Sequence, residues 1–243
     1  MRLIAIESSG NVAAVCYYAD GAIVAEYMTD YKMTHSQTLM PMLQEMTARV
    51  GVDLKTLDAI AISGGPGSFT GLRIGSATAK GMGLALHCPI VNVGTLDAMA
   101  YQCFGFDGLI CPMMDARRNQ VFYGFYRWGV QEDSFAKLAG PDAGDIEEVL
   151  DLLKQRCPEG RIAFLGDGAS LHRDRITERF GANAVFMPEF MNKQRAGAVA
   201  ALGARMFARG EIEDAGEHKP EYLRKSQAER EREERLKGET GQA

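Results

Sequence analysis

The stretch Gly64-Gly65-Pro66-Gly67-Ser68-Phe69-Thr70-Gly71-Leu72-Arg73-Ile74-Gly75 holds the residues whose types and spacing point most directly to chemistry. It follows the apolar run 59–62, which reads as a strand. It opens a run of small residues over 68–86, which reads as a helix. A glycine-rich turn at that junction gathers backbone N–H groups at the positive end of a helix dipole. Such a turn can hold phosphate, and it can equally let a helix pack closely on a sheet. It is not a Walker loop, because no Lys-Ser/Thr follows the glycines at the required spacing, and it does not match the dinucleotide fingerprint.

Two other turns carry acidic or glycine residues at comparable places. Glu7-Ser8-Ser9-Gly10-Asn11 lies at the end of the first strand, and Asp115 ends a strand at the corresponding point of the second half. A cleft for ATP or ADP with magnesium needs this combination, carboxylates for the metal and turn N–H groups for the phosphates. Gly166-Asp167-Gly168 is a third turn able to approach a nucleoside. The candidate nucleotide or phosphate contacts are therefore Glu7, Ser8, Gly65, Gly67, Ser68, Asp115, Gly166 and Gly168. Turns collect Ser, Asn, Asp and Gly for conformational reasons as well.

No catalytic residue or metal ligand set is assigned. The histidines, His35, His87, His172 and His218, are never four apart, so no helix presents a two-histidine metal face. No Gly-x-Ser-x-Gly elbow appears. The cysteines at 16, 88, 103, 111 and 157 are odd in number, form no C-x-x-C pair and read as buried free thiols of a reducing cytoplasm.

Composition narrows the class. The chain has 243 residues, 46% of them hydrophobic, enough for a substantial core. A formal charge of -5 argues against a broad basic nucleic-acid surface, although Arg117-Arg118 is a local basic pair. No apolar run is long enough to span a bilayer, and 1–7 turns polar too soon for a signal peptide, so a cytoplasmic protein is expected.

The elements that must position these turns follow from periodicity. Strands are expected over 2–7, 12–18 and 22–27, then a helix over 34–50 with Thr34 and Gln37 as a capping box and Gly51 as its stop. The strand at 59, the glycine turn, the helix over 68–86, a strand over 90–93 and a helix capped by Thr95 complete the first half. The second half repeats the order: strands over 109–114 and 120–128, a helix over 145–156, a strand over 161–165, a helix over 170–180, a strand over 184–187 and a helix over 191–209. Such a repeat predicts two mixed α/β sheets of related topology with a cleft between them. The expected subdomains are 1–105 and 106–225, with the helix over 191–209 free to return to the first. A charged tail, 226–243, is expected to be disordered.

Two helices look like a docking surface. The helix from 68 tolerates glycines at 71, 75, 81 and 83, each costing about 1 kcal/mol relative to alanine, which suggests close backbone approach. The helix before it is methionine-rich. The candidate partner contacts are Leu39, Met42, Met46, Leu72 and Ile74.

The residues 64–75, together with the opening acidic-serine turn, His35-Ser36-Gln37, Asp115-Ala116-Arg117-Arg118 and Pro220-Glu221-Tyr222-Leu223-Arg224, closely resemble the motifs of the TsaB (YeaZ) family, over roughly residues 1–225. The resemblance implies an actin/Hsp70-like (ASKHA, ribonuclease H-like) fold. It implies a non-catalytic subunit in threonylcarbamoyladenosine modification of tRNA, dimerising with the TsaD transferase and working with the TsaE ATPase. It also implies a homodimer when the chain is alone and contact with tRNA through the complex. Glu7 stands where the superfamily usually has aspartate. The alternative is a small kinase or ATPase of the same fold, acting alone with Glu7 and Asp115 on magnesium.

Overall fold

The computed structural model describes residues 1–31, 34–131 and 134–224. The first half builds a five-stranded sheet around β1 (Arg2–Glu7). β1 runs antiparallel to β2 (Ala13–Ala19), which pairs with β3 (Ala22–Thr29). Two helices follow β3 in the chain, α1 (His35–Val50) and, after the parallel strand β4 (Ala59–Gly65), α2 (Phe69–Leu86). β5 (Ile90–Gly94) pairs parallel to β4, and α3 (Thr95–Tyr101) leaves the sheet. The register sets Ile4 beside Ile60 and Ile6 beside Ile62. These central strands are buried on both faces, which explains their unbroken apolar runs.

The second half repeats the plan. β6 (Leu109–Asp115) is central, antiparallel to β7 (Gln120–Arg127), which pairs with β8 (Ala136–Asp145). α4 (Ile146–Arg156) precedes β9 (Ile162–Leu165), which runs parallel to β6. α5 (Asp167–Leu171) and α6 (Arg173–Phe180) lead to β10 (Ala184–Phe186), parallel to β9, and α7 (Ala196–Ala208) follows. The strand orders are β3-β2-β1-β4-β5 and, from the matching edge, β8-β7-β6-β9-β10. The two sheets are thus one topology used twice, the actin/Hsp70-like arrangement.

Each half lends a helix to the other's neighbourhood. Leu96 and Met99 of α3 pack with Ile110, Met114 and Tyr126 of the second sheet. Val199, Ala200 and Leu202 of α7 return to cover Leu3, Ala61 and Val91 of the first. The opposite face of the first sheet takes Leu39, Leu43 and Met46 of α1 over Ile4, Ile60 and Ile62.

Several local expectations are corrected. Thr34 precedes α1 but its side chain caps nothing; Thr34 Oγ1 lies 3.1 Å from Ser36 Oγ, so no capping box forms. Thr95 is not a cap either: it is fully buried, with its hydroxyl 3.3 Å from that of Ser63. The helix over 170–180 is two helices meeting at His172 (φ -105°, ψ 20°), and the first starts at Asp167 because Gly166 (φ 101°) turns the chain straight from β9 into α5. The last helix begins at Ala196 rather than 191, after Glu26 of β3 accepts the Gly197 N–H at 2.9 Å. β8 was not expected. The residues before the tail are ordered against the body: Glu213 bridges Ile90, and His218 is buried beside Glu213. The expected tail, 226–243, lies outside the described residues.

Candidate functional site

A cleft of about 530 Å³ lies between the halves. Ser9–Asn11 and 67–70 line it from the first half, Met114, Asp115, Ala116, Arg117 and Asp167 from the second, and 221–224 from the C-terminal segment. The turns converge there because β1, β4 and β6 all end at this edge.

The glycine turn is built to touch the first turn of the chain. A Cβ on Gly67 would stand 2.2 Å from the Ser9 carbonyl oxygen, on Gly71 2.1 Å from that of Ser8, and on Gly75 2.2 Å from Ser8 Oγ. These glycines lie four apart; Gly71 and Gly75 share one face of α2, and Gly67 precedes its N-cap. Ser8 Oγ donates to the Gly71 carbonyl at 2.9 Å, and the Ser68 N–H to the Ser9 carbonyl at 2.6 Å. His35 Nε2 bonds the Gly10 carbonyl at 2.9 Å. Of the two uses open to such a turn, close helix–sheet packing is the one these contacts serve. Ser68 is the N-cap of α2, its Oγ accepting the Gly71 N–H at 3.3 Å.

The candidate contacts divide. Gly67, Ser68 and Asp115 line the cleft. Glu7 does not: it is 1% exposed, and its Oε1 accepts from the Ser9 N–H at 2.6 Å and the Ser9 hydroxyl at 2.5 Å. Burial raises its pKa, against the pull of those hydrogen bonds. A buried carboxyl already occupied in this way is not presented to a metal in the cleft. Ser8 is also fully buried. Gly65 is covered, since its Cβ position lies 2.3 Å from the Glu221 carbonyl oxygen. Gly166 and Gly168 serve the packing of α5 on β6, with Cβ positions 2.1 Å from Met113 O and 2.8 Å from Met114 C.

On the second side, Asp167 Oδ1 accepts the N–H groups of Asp115 at 3.1 Å and Gly168 at 2.9 Å. Burial raises its pKa, opposed by those bonds. Asp115 Oδ1 accepts the Arg117 N–H at 2.8 Å. Arg117, Arg118 and Asn119 follow one another with φ of 66°, 55° and 59°, a left-handed run disfavoured for side-chain-bearing residues. It throws the Arg117 side chain outward, 87% exposed. Residue types alone did not mark 221–224 as cleft-lining, whereas Asp167 sits in the turn 166–168 that the sequence did bring to a cleft. The segment 221–224 is far from the cleft in sequence and carries no periodic signal.

The docking candidates also divide. Leu39 and Met46 pack on the sheet and Leu72 is buried at 1% exposure, so as surface contacts all three are corrected. Met42 and Ile74 are half-buried at the rim. The outer faces instead expose Met40 and Pro41 of α1 and Arg73, Ala77, Gly81, Leu84 and Ala85 of α2. Met40 is 51% and Leu84 55% exposed, and nothing lies within 4 Å of a Cβ on Gly81.

All five cysteines are buried and free, and burial pushes the Cys16 and Cys103 thiols up to about 12. Among the described residues no helix is long and apolar enough to cross a membrane.

Comparison with known proteins agrees with this geometry. The family model for TsaD, tRNA N6-adenosine threonylcarbamoyltransferase, matches residues 23–232. The tRNA threonylcarbamoyladenosine biosynthesis protein TsaB of Bacillus subtilis is 31% identical over 230 residues, 94% of this chain and 96% of that one. The Escherichia coli protein of the same name is 33% identical over 129 residues, 52% of this chain and 55% of its own length. A Pseudomonas aeruginosa crystal structure, described as an uncharacterized protein with similarity to peptidase YEAZ, superposes with a TM-score of 0.78 at 25% identity, covering 92% of this chain and 99% of its own.

Proposed function

This chain belongs to the TsaB family of tRNA threonylcarbamoyladenosine biosynthesis proteins, and from that premise we propose that it is a non-catalytic subunit of the tRNA-modifying assembly, docking on a TsaD-type transferase and activating it. The observation that carries the reading is the outer face of α1 and α2. Met40 and Leu84 are exposed and Met42 and Ile74 half-buried, and Ala77, Gly81 and Ala85 put only small residues on the outer face of α2. Small residues at such positions let a second helix pair approach closely, and apolar side chains around them supply the burial that holds it. A chain with the same fold presents the same kind of helix pair, so one surface serves both the heterodimer with TsaD and a homodimer when the chain is alone. TsaE joins as the ATPase, and tRNA is reached through the assembly.

The competing reading, a small kinase or ATPase, requires Glu7 on magnesium, and Glu7 is buried against Ser9. ATP or ADP with magnesium in the cleft would draw on Asp115, Ser68 and Arg117, which do line it. The test is reconstitution of tRNA modification from purified TsaD and TsaE at saturation, with and without this chain. Modification should fall at least tenfold in its absence. Full-speed modification without it overturns the proposal, and hydrolysis of ATP by this chain alone, lost in Glu7→Ala, would establish the competitor.

A further inference from the structure

Residues 221–224 cross the cleft and hold both halves. On the first half the Glu221 N–H donates to the Gly64 carbonyl at 2.7 Å. The Tyr222 ring lies 4.7 Å from that of Phe69, and Arg73 Nε donates to the Tyr222 hydroxyl at 3.4 Å. The Arg73 guanidinium itself lies over Phe69 at 4.1 Å. On the second half Arg224 donates to the Ala116 carbonyl at 2.7 Å and to Gln120 Oε1. Ala116 and Gln120 close the hairpin that contains the left-handed run, the Ala116 N–H donating to the Gln120 carbonyl at 2.9 Å.

We propose that this strap is a latch: it holds the two halves closed over the cleft, covers the Gly64-Gly65 backbone, and opens as a unit while both sheets stay folded. The chemistry suits a latch rather than a core element. The contacts named above are individual hydrogen bonds and one ring pair, not a packed apolar face, and Tyr222 and Leu223 remain exposed. Its two ends grip different halves, so it links them only while both ends are bound, and cutting one end removes a tether that helps hold the other in place. A ligand reaching the Gly64-Gly65 backbone must displace the Glu221 amide first. Arg73 makes the latch sensitive to the docking face, because it holds Tyr222 from the exposed side of α2. That last link rests on the docking reading above, and the latch itself does not.

Native-state hydrogen exchange on the isolated full chain tests it. The Glu221 amide should exchange through a sub-global opening, at denaturant concentrations where the β1 amides of Ile4 and Ala5 remain protected. Arg224→Ala, which cuts the far end, should speed exchange at Glu221 at least tenfold with β1 unchanged, and Tyr222→Ala should do the same from the near end. Exchange of Glu221 only in step with β1 in the unmodified chain would overturn the latch without any variant. So would rates within twofold of the original in both substitutions. No partner is present in these measurements, so their failure and the failure of the docking reading are told apart.

Discussion

Ser8 Oγ donates to the carbonyl oxygen of Gly71 across 2.9 Å, joining the turn after β1 to the first turn of α2. The bond is possible because Gly71 and Gly75 have no side chains in the way: Cβ atoms there would stand 2.1 Å from Ser8 O and 2.2 Å from Ser8 Oγ. The glycine-rich signature is therefore first a packing device. It sets the height and tilt of α2, and with them the outward face proposed above for docking.

Substituting within that contact should be costly. Gly75→Ala places a methyl group against a buried hydroxyl and should destabilise the chain by about 1–3 kcal/mol, the usual range for overpacking. Gly81→Ala is the contrast, since its Cβ meets open space. It should stabilise the isolated chain by about 0.5–1 kcal/mol through helix propensity. Denaturant melts of the two variants check both signs.

The docking surface makes a different division. Met40→Asp and Leu84→Asp, at exposed positions, should weaken association with TsaD or with a second copy at least tenfold while leaving the melting temperature within a few degrees. Leu39→Asp and Leu72→Asp should unfold the chain, because each buries a charge at a side chain only 1% exposed, Leu39 among Ile4, Ile60 and their neighbours. Sedimentation velocity and thermal melts on the same samples separate the two outcomes.

Glu7 predicts a pH dependence. Its folded-state pKa is raised above the ordinary 4.5, chiefly by burial. Above that ordinary value the unfolded chain binds fewer protons at this site than the folded chain does. Stability from this group therefore falls as pH rises from 4.5 toward the raised pKa, and is fully present below 4.5. Glu7→Gln should flatten the decline in melting temperature across that window. An unchanged slope would show that Glu7 does not titrate as its burial requires.

Asp97 of α3 accepts the Tyr126 hydroxyl at 2.6 Å and pairs with Lys137 at 2.6 Å, tying the first half to β7 and β8. Asp97→Ala strands the mostly buried Tyr126 hydroxyl and should cost about 1–3 kcal/mol. The double variant with Tyr126→Phe should recover part of that loss. Chemical denaturation of the three chains gives the comparison.

What the sequence by itself determined is local. Alternation and 3.6-residue spacing read from neighbouring residues placed β1, α1, the junction of β4 with α2, and the doubling of one strand-and-helix order, because each signal is complete within a short window. Tertiary structure alone decided what those elements face. β8, with Lys, Gly, Pro and Asp among its ten residues, is extended because β7 pairs with it and not because its composition asks for a strand. α1 and α2 are apolar on more than one side, and only the sheet beneath them shows that Leu39, Met46 and Leu72 are inside while Met40 and Leu84 are out. The meeting of Tyr222 with Arg73 spans 149 residues of chain. No local pattern encodes such a contact; it exists only once both halves have folded and brought their turns to one edge.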